Sequence, residues 1–333
     1  MVKTFFVLLL SSLTISFFIS ESFAATKFRV CSQNLERVGK LPFGRKKDSV
    51  KKQTSYLVER FLEAKCDVIA VQEVYGKTKN EALESLDDLK EALEEADDAK
   101  YISLVGESQF DEIRNGFLLN EASAKILYSG STPDGALPKL NPLQRSRSAT
   151  RRPFALLLDV ASTKKDLLLV NIHLKSKVGG FKDSSGLDFE TLRMESSEQT
   201  REFASQLAKD SKKNQDLVSV ILGDRNSRPK SATDLILQGR LRLADFQAGC
   251  SVTSDLEPGC APSNPAVFDP TFAPRTTRGS SKFRGQEELI DEIYLNASYL
   301  EQLRASRKNL EYGLTGEFFK GSDHKLVWVD LQL

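Results

Sequence analysis

The chain has 333 residues, of which 47 are Lys or Arg and 46 are Asp or Glu, so its formal net charge is only +1. With 40% hydrophobic residues, this composition excludes a disordered polymer, a coiled coil and a polytopic membrane protein. Near-neutrality also means that local basic patches, and not a uniformly cationic surface, would have to hold any nucleic-acid partner.

Residues 1–25 have the pattern of an export signal peptide. Lys3 supplies the positive start, Phe5 to Phe18 is almost wholly apolar, and the segment ends on Ala24 and Ala25, small residues that suit a cleavage site. An uncleaved membrane anchor is the alternative, but the uncharged stretch is shorter than the roughly 20 residues that span a bilayer. We therefore expect a secreted or periplasmic protein with no stable membrane association after cleavage.

After this segment the pattern predicts short apolar strands interrupted by amphipathic helices. Strands are predicted at Phe28–Asn34, Asp67–Val74, Tyr101–Val105, Gly116–Leu119, Ala124–Tyr128, Phe154–Val160, Leu167–His173, Leu217–Leu222, Leu289–Leu295 and Leu326–Leu331. Helices are predicted at Ser49–Ala64, Glu81–Asp98 and Thr191–Lys209, and the second of these is strongly acidic. So many strands need more than one sheet or a very wide one. Because no repeat or low-complexity linker interrupts them, we expect a single domain over residues 26–333.

Four cysteines remain in the mature chain, and disulfides persist in the oxidising compartments that exported proteins reach. Cys250 and Cys260 are predicted to pair because they close an irregular loop with Pro and Gly, where a covalent link can replace missing core contacts. Cys31 and Cys66 each lie in an apolar run, so buried thiols and a second disulfide both remain open. No Cys-x-x-Cys spacing occurs, which argues against structural zinc.

Polar side chains end or interrupt several of the predicted strands. Only two histidines occur, His173 and His324, and each lies at the end or edge of a strand. Similar positions are occupied by Asn34, Glu73, Asp224, Asn226, Asp291 and Asp323. Burying an unpaired carboxylate costs about several kcal/mol, so this group indicates one shared site with a metal or a charge partner. For any single carboxylate the alternative is a solvated surface position.

Six short motifs follow one another along the chain: Ser32–Leu35, Val71–Val74, Asn171–Ser176, Gly223–Asn226, Ile290–Ile293 and Ser322–His324. Their order and composition resemble the successive motifs of the endonuclease/exonuclease/phosphatase superfamily, which includes deoxyribonuclease I. The resemblance extends over essentially the whole mature chain. It implies a four-layer α/β/β/α sandwich, in which two mixed β-sheets pack face to face with helices outside.

The resemblance also implies a divalent metal site. Glu73 matches the principal carboxylate ligand, and Asn34 beside it would orient water or a phosphate oxygen. Asp323 is a further candidate, either as a ligand or as a residue that steadies the site. Oxygen ligands of this kind favour Mg²⁺, with Mn²⁺ or Ca²⁺ as alternatives, over zinc.

Five more residues match the catalytic positions of the superfamily. Asp224 and Asn226 would position and polarise the attacking water and the phosphate. Asp291 would orient and charge His324, and His173 would lie across the scissile phosphate from it. A phosphodiester needs its negative oxygens neutralised, a water deprotonated and a leaving alkoxide stabilised, and these groups together with a metal can supply all three.

Two positions depart from the superfamily pattern. Arg225 stands between Asp224 and Asn226, where an apolar residue is usual, and Glu292 follows Asp291, where an aromatic residue is usual. We expect Arg225 to be solvated and not to contact phosphate. Glu292 should face away from Asp291, because side chains alternate between the two faces of a strand.

Two basic stretches adjoin strands that carry motifs. They contain Arg145, Arg147, Arg151 and Arg152 in the first, and Arg275, Arg278, Lys282 and Arg284 in the second. On the rim of the site such residues can hold successive phosphates of a polynucleotide, and ordinary solvated loops are the alternative. The Arg-Pro turn at Arg152 and the segment from His173 to Lys177 also resemble the nuclease branch, its secreted bacterial members in particular. The candidate substrate-binding residues are therefore Arg151, Arg152, Lys175 and Arg278.

These features predict an exported, monomeric, Mg²⁺-dependent nuclease that hydrolyses DNA, with RNA as a second candidate substrate, and that has little base specificity. Nothing in the sequence resembles a base-reading helix. One alternative is a secreted phosphodiesterase or phosphatase of lipid or small-molecule phosphates, which should display an apolar rim or a membrane-binding hairpin. Another is a binding module without catalysis, which should have lost at least one motif residue, whereas none is lost.

Overall fold

The computed structural model describes residues 27–39, 47–108, 112–133, 151–161, 163, 165–177, 189–211, 217–252, 258–271 and 279–333. These residues form two six-stranded sheets, a two-stranded hairpin and six helices. The predicted signal peptide lies outside them, as do Arg145, Arg147, Arg275 and Arg278.

The first sheet is built around two parallel strands from the N-terminal third of the chain. Across the sheet its strands are β13 (Glu311–Thr315), β14 (Leu326–Gln332), β1 (Lys27–Val38), β2 (Val68–Tyr75), β4 (Ile113–Asn120) and β3 (Tyr101–Val105). Strands β1 and β2 are parallel and every other neighbouring pair is antiparallel. Helices α1 (Lys47–Ala64) and α2 (Lys79–Ala96) cover the outer face, where Leu57 and Leu89 pack with Ile69 of the sheet.

The second sheet repeats this plan with later strands. In order they are β5 (Ala124–Ser131), β6 (Phe154–Val160), β7 (Asp166–His173), β8 (Val218–Asp224), β12 (Asp291–Asn296) and β9 (Phe268–Pro270). Only β7 and β8 are parallel. The outer face is covered by α3 (Glu190–Asp210) and α4 (Ala232–Leu237). The remaining elements are α5 (Leu243–Gln247), α6 (Ala297–Ala305) and a hairpin of β10 (Ser281–Phe283) and β11 (Gln286–Glu288).

The main core lies between the two sheets. Alternate residues of the strands point inward from both sides, and Phe117 meets Phe154 there with ring centroids 5.5 Å apart. Each large apolar side chain buried in this way stabilises the fold by about 1.5–3 kcal/mol relative to exposure. The layers therefore run helix, sheet, sheet, helix, which confirms the predicted four-layer α/β/β/α sandwich with two mixed sheets.

All ten predicted strands and all three predicted helices are present, with ends shifted by a few residues. Strands β9, β10, β11 and β13 and helices α4, α5 and α6 were not predicted, because they are too short or too polar to show a clear periodicity. Among the helices of the described ranges, none combines the length and the apolar character required to cross a membrane.

Both cysteine pairs form disulfides. The predicted Cys250–Cys260 bond is present, and Cys31 is bonded to Cys66. The second bond joins β1 to the turn between α1 and β2 inside the apolar layer beneath α1. An apolar setting suits a buried thiol as well as a disulfide, so only the approach of the two cysteines in the folded chain decides between them.

Candidate active site

Three strands of the second sheet place their site residues in one row. Strand β7 ends on His173 and β8 ends on Asp224, directly opposite, and Asp224 is in turn opposite Asp291, the first residue of β12. Gly223 has φ +133°, and a Cβ atom there would lie 2.1 Å from the carbonyl oxygen of Ile172. Glycine thus permits the close approach of β8 to β7. This close approach places Asp224 Oδ2 at 3.6 Å from His173 Nε2.

The first sheet contributes Asn34 and Glu73. The register of β2 shifts at Glu73, whose backbone is left-handed with φ +61°, and such a bulge re-aims the side chain. Glu73 Oε1 accepts a hydrogen bond from Asn34 Nδ2 at 3.3 Å and lies 3.7 Å from His173 Nε2. Asn34 Nδ2 also donates to Asp224 Oδ2 at 3.1 Å. Asn34 therefore joins the two sheets at the site.

His324 is surrounded by carboxylates. Its Nδ1 lies 2.7 Å from Asp291 Oδ2, while its Nε2 lies 3.9 Å from Asp224 Oδ2 and 3.7 Å from Asp323 Oδ1. Burial opposes charge on this imidazole, but Asp291, Asp224 and Asp323 together raise the pKa of His324 to about 10. The side chain is therefore an imidazolium at neutral pH.

His173 is in the opposite state. Burial, the neighbouring Arg151 guanidinium and the charge of His324 lower the pKa of His173 well below its ordinary value. Arg151 Nη1 lies 2.7 Å from His173 Nε2 and can donate to it, which requires the imidazole proton to be on Nδ1. The buried Nδ1 finds no hydrogen-bond partner among the described residues. The site thus holds one charged and one neutral imidazole.

The carboxylates of the site suit a hard divalent cation. Burial and the neighbouring Asp291 raise the pKa of Asp224 to about 7, and burial raises the pKa of Asp323. Oδ1 of Asp291 is buried without a hydrogen-bond partner in the described part of the chain. Clustered carboxylate oxygens, here including one without a donor, are the ligands that Mg²⁺, Mn²⁺ or Ca²⁺ prefers, so the residues present fit such an ion.

Two groups within the site are candidates for holding that ion. Ligand atoms of Asp224, Asp291 and His324 all lie within 4.8 Å of one another. However, His324 Nδ1 and Asp291 Oδ2 are only 2.7 Å apart and hydrogen-bonded to each other, which leaves no space for an ion between them. Glu73 is partly exposed and has the Asn34 side chain beside it, so this pair has more room for an ion and its water ligands.

Asn226 is held against the end of β7. Its backbone is left-handed with φ +51°, a conformation that Asn tolerates. Its backbone N–H donates to Asp224 Oδ1 at 2.8 Å, and its Nδ2 donates to the carbonyl oxygen of Leu174 at 3.1 Å. These bonds fix the loop after β8 beside His173 and orient the Asp224 carboxylate.

The expectation that Arg225 is solvated was wrong. The residue is 1% exposed, and its Nη1 donates to the Tyr294 hydroxyl at 2.9 Å. The same atom lies 3.4 Å from Asp234 Oδ1 and 3.5 Å from Glu292 Oε2. Glu292 does face away from Asp291, as strand alternation predicted. A buried ion-pair cluster therefore stands behind the site residues, where the superfamily pattern has an apolar and an aromatic side chain.

Three of the four candidate substrate-binding residues are described. Arg151 reaches the site through the imidazole contact given above. Lys175 continues from the end of β7, with Nζ 4.9 Å from the ring centroid of Phe189. Arg152 is half-buried beside Arg151. Arg278 lies outside the described residues, so its position stays a prediction.

Two polar residues beneath the site had no role in the sequence analysis. Gln72 Nε2 donates to Asn171 Oδ1 at 2.8 Å, and Asn171 Nδ2 donates to the carbonyl oxygens of Val71 and Gly116 at 2.9 and 2.8 Å. They join the two sheets directly below the site. Each is a polar residue inside an apolar strand and within one of the six motifs. That pattern could have identified both residues from the sequence.

The sequence and the structure give different results in comparisons with known proteins. No protein-family model matches the sequence, and a search of curated proteins finds no match. The structure is similar to an endonuclease/exonuclease/phosphatase family protein from Bacteroides thetaiotaomicron, with TM-score 0.56, 16% identity and coverage of 92% of this chain and 97% of that one. ANGEL2, a 2′,3′-cyclic phosphatase in complex with adenosine-2′,3′-vanadate, has TM-score 0.59, 13% identity and coverage of 92% and 96%.

A third similar structure is the mannosyl-6-phosphatase Bt3783 of Bacteroides thetaiotaomicron. It has TM-score 0.53 and 15% identity, and the match covers 91% of this chain and 99% of that one. Both chains of each comparison are covered almost completely, so the similarity concerns the whole sandwich and not one layer of it. At these identities the similarity establishes the fold.

Proposed function

We propose that this chain, which has the endonuclease/exonuclease/phosphatase fold, is a divalent-metal-dependent nuclease that hydrolyses DNA with little sequence specificity. RNA is a second candidate substrate. The observation that carries the proposal is the convergence of two imidazoles and four carboxylates from both sheets, with successive groups 2.7 to 3.9 Å apart. Such a cluster has the parts that phosphodiester hydrolysis requires.

Glu73 and Asn34 would hold the cation, and Asp323 is a further candidate ligand. When bound, a divalent cation neutralises charge on phosphoryl oxygens and stabilises a leaving oxygen. The buried carboxylates supply the negative potential that attracts the ion.

The two imidazoles have different tasks in this proposal. The imidazolium of His324, oriented by Asp291, donates a hydrogen bond through Nε2 to a phosphoryl oxygen and offsets its charge. His173 is neutral, so its Nε2 lone pair can accept a hydrogen bond on the other side of the phosphate. Arg151 now occupies that lone pair, and a substrate phosphate can draw the guanidinium away because charge-assisted bonds to phosphate are stronger.

Asp224 and Asn226 prepare the attacking water. A carboxylate with a pKa of about 7 can take a proton at neutral pH and still release it afterwards. The hydrogen bonds from Asn34 Nδ2 and the Asn226 backbone hold that carboxylate in one orientation. Water can therefore be polarised at a defined position, which is the main requirement for in-line attack on phosphorus.

The test is cleavage of plasmid DNA by mature protein, with Mg²⁺ and then with a chelator. We expect cleavage only with the metal, and a fall of about a hundredfold or more in His173→Ala and His324→Ala with the fold retained. Asp159→Asn is the matched control, because this exposed carboxylate lies at the opposite end of β6 and β7. Normal cutting by either histidine variant would contradict the assigned roles.

A second candidate function is hydrolysis of lipid or small-molecule phosphates. It is favoured by two of the similar structures, which are described as a 2′,3′-cyclic phosphatase and a mannosyl-6-phosphatase. Incubation with choline, inositol and sugar phosphoesters separates the two functions. Intact DNA together with a cleaved small phosphoester would replace the nuclease proposal, and inertness toward every phosphoester would favour a binding module.

We also propose that the protein is exported, with residues 1–25 as the signal peptide and 26–333 as one domain, and that it is a monomer. The two disulfides support export, because such bonds persist in oxidising compartments. Mass spectrometry of the protein from its natural source should find an N-terminus near residue 26 and no free thiols. Retention of Met1 with four free thiols would contradict the proposal.

A further inference from the structure

Two exposed phenylalanines lie on elements attached to the segment of His324. Phe283, which is 47% exposed, lies at the turn of the β10–β11 hairpin, and Phe319, which is 65% exposed, lies in the loop 316–321. The hairpin reaches the site directly, since Ser281 forms an isolated β-bridge with His324. The loop 316–321 is connected to the site by the backbone, because His324 follows it closely in the sequence. Phe283 therefore lies two residues from the bridge to His324 and Phe319 five residues before His324, so both belong to elements that adjoin the candidate active site.

The loop is held from beneath by a buried arginine. Arg60 of α1 is 3% exposed; its Nη2 donates to the carbonyl oxygens of Glu317 and Lys320 at 2.8 and 2.6 Å, and its Nη1 donates to that of His324 at 2.7 Å. A Cβ atom on Gly316 would lie 2.2 Å from Arg60 Nε, so glycine is required there. Burying a cation among carbonyls costs free energy. The shape of this loop is therefore specified and not incidental.

Phe319 adopts a backbone conformation that bulky residues avoid. Its φ is +63°, and a residue held in this region costs of order 1–3 kcal/mol. The strain is sustained by the hydrogen bond from its N–H to the carbonyl oxygen of Ser322 at 2.8 Å and by the Arg60 contacts. Burial of the ring does not explain the strain, because most of the ring is in solvent. A strained, exposed aromatic residue beside an active site indicates recognition.

Cations lie over the rings of this region. Lys325 Nζ and Lys282 Nζ are 4.1 and 5.7 Å from the ring centroid of Phe318, and Arg284 Cζ is 5.2 Å from that of Phe283. Phe318 therefore links the hairpin to the loop. We refer to the three phenylalanines Phe283, Phe318 and Phe319 and their neighbouring cations as the aromatic rim. Of these cations, Lys282 and Lys320 pair with Glu287 and Glu317, so Arg284 and Lys325 supply most of its positive charge.

The composition of the aromatic rim matches one class of partner. Each of these two phenylalanines is followed by a cation and a glycine, in Phe283-Arg284-Gly285 and Phe319-Lys320-Gly321. A membrane-binding surface keeps its apolar side chains on one face and its cations on another, whereas here cations alternate with the rings. Rings with cations between them are what an unpaired polynucleotide strand requires, because its bases stack on aromatic faces and its phosphates need positive charge.

We propose that the aromatic rim binds unpaired bases of the polynucleotide next to the scissile phosphate, so that the enzyme prefers single-stranded to duplex substrate. The proposal rests on the proposed nuclease function and specifies its substrate. Bases within a duplex are stacked on their neighbours and cannot present a face to Phe283 or Phe319. A strand bound through these rings would enter the site with its backbone toward His324.

The test compares three substrates of equal length: a single-stranded oligonucleotide, the same sequence as a duplex, and an abasic oligonucleotide that keeps the phosphates and lacks the bases. For the wild type we expect the lowest KM with the single strand. Phe283→Ala with Phe319→Ala should raise that KM by about tenfold or more, with kcat retained and abasic cleavage changed less than about twofold. Tyr128→Ala, which removes an exposed ring from β5 of the other sheet, is the matched control and should leave all three unchanged.

Each contrary result has its own meaning. Equal KM values for the single-stranded and abasic oligonucleotides in the wild type overturn the inference and leave the nuclease function in place, and this comparison needs no variant to fold. Inertness of the wild type toward all three substrates overturns both. Weaker binding of the double variant to phosphatidylglycerol vesicles with an unchanged KM assigns the rim to membranes and also overturns it. If the alanine variant unfolds, Phe319→Asn replaces it, because Asn tolerates the left-handed backbone.

Discussion

Two buried arginines support the candidate site, one in each half of the sandwich, and their charges are satisfied in different ways. Arg60 donates to the side-chain oxygen of Gln33 and to backbone carbonyls, and no carboxylate in the described residues forms an ion pair with it. Arg225 is placed between Asp234 and Glu292. Burial lowers the pKa of Arg60 to about 10, whereas the Tyr294 hydroxyl and the two carboxylates raise the pKa of Arg225 despite its burial.

Because their partners differ, Arg60 and Arg225 have different roles. The carbonyl groups of Glu317 and Lys320 can turn toward water when they lose Arg60, because the loop 316–321 lies largely at the surface. Asp234 and Glu292 cannot turn toward water, because both are buried with Tyr294 behind the sheet. We therefore expect Arg225 to act mainly on the stability of the whole domain and Arg60 mainly on the shape of one loop.

The largest expected effect is that of Arg225→Met. It leaves two buried carboxylates without their cation, so the free energy of unfolding should fall by about 3–5 kcal/mol. Urea unfolding measures this. Arg228→Met removes an exposed arginine that pairs with Glu288, and as a control it should cost less than about 1 kcal/mol. Equal losses in the two variants would remove the distinction between a buried and an exposed arginine.

Arg60→Met should have an intermediate effect. It removes hydrogen bonds to carbonyls but strands no charge, so we expect a loss of about 2 kcal/mol. Limited proteolysis should begin within the loop 316–321, and the KM for a single-stranded oligonucleotide should rise if the aromatic rim holds bases. Lys51→Met, an exposed change in the same helix, is the control. A loss in the free energy of unfolding as large as that of Arg225→Met would contradict the expectation that Arg60 acts mainly on one loop.

The smallest effect is expected for the ion pair between Asp330 and a third arginine, Arg29, which lies nearer the surface. Arg29 donates to both carboxylate oxygens of Asp330 at 2.6 and 2.8 Å. Burial of Asp330 opposes its charge, but Arg29 and Lys27 lower its pKa below the ordinary 3.8. A depressed carboxylate pKa stabilises the fold above pH 3.8, and this stabilisation is lost as the pH falls further.

Asp330→Asn should therefore cost about 1 kcal/mol at pH 7 and less and less below pH 3.8. Urea unfolding of both proteins between pH 7 and pH 3 measures the difference. A cost that grows on acidification would show that the sign of the linkage is wrong. Added salt should reduce the cost, because the pair is partly exposed.

The extent to which the sequence predicted the molecule differs between elements. Strands with a clear apolar run, such as β6 and β7, were predicted almost to the residue, because that signal is local. The position of Arg225 was mispredicted for the opposite reason, since a charge in a loop is usually solvated and its partners come from α4 and β12. The sequence does contain a signal for the burial of Arg60. Gln53 and Arg60 are seven residues apart, which places them on the same stripe of α1 as the buried Leu57.

The sequence alone predicted most strands and helices and the kinds of side chain that end the strands, because periodicity and residue type act over a few neighbours, while the layers were implied by the resemblance to a superfamily. The tertiary structure was needed to show that His173 is neutral beside a charged His324, that Cys31 pairs with Cys66, and that Phe319 stays in solvent. These properties depend on burial and on partners from distant segments. Neither the burial nor these distant partners exist until the two sheets have packed together.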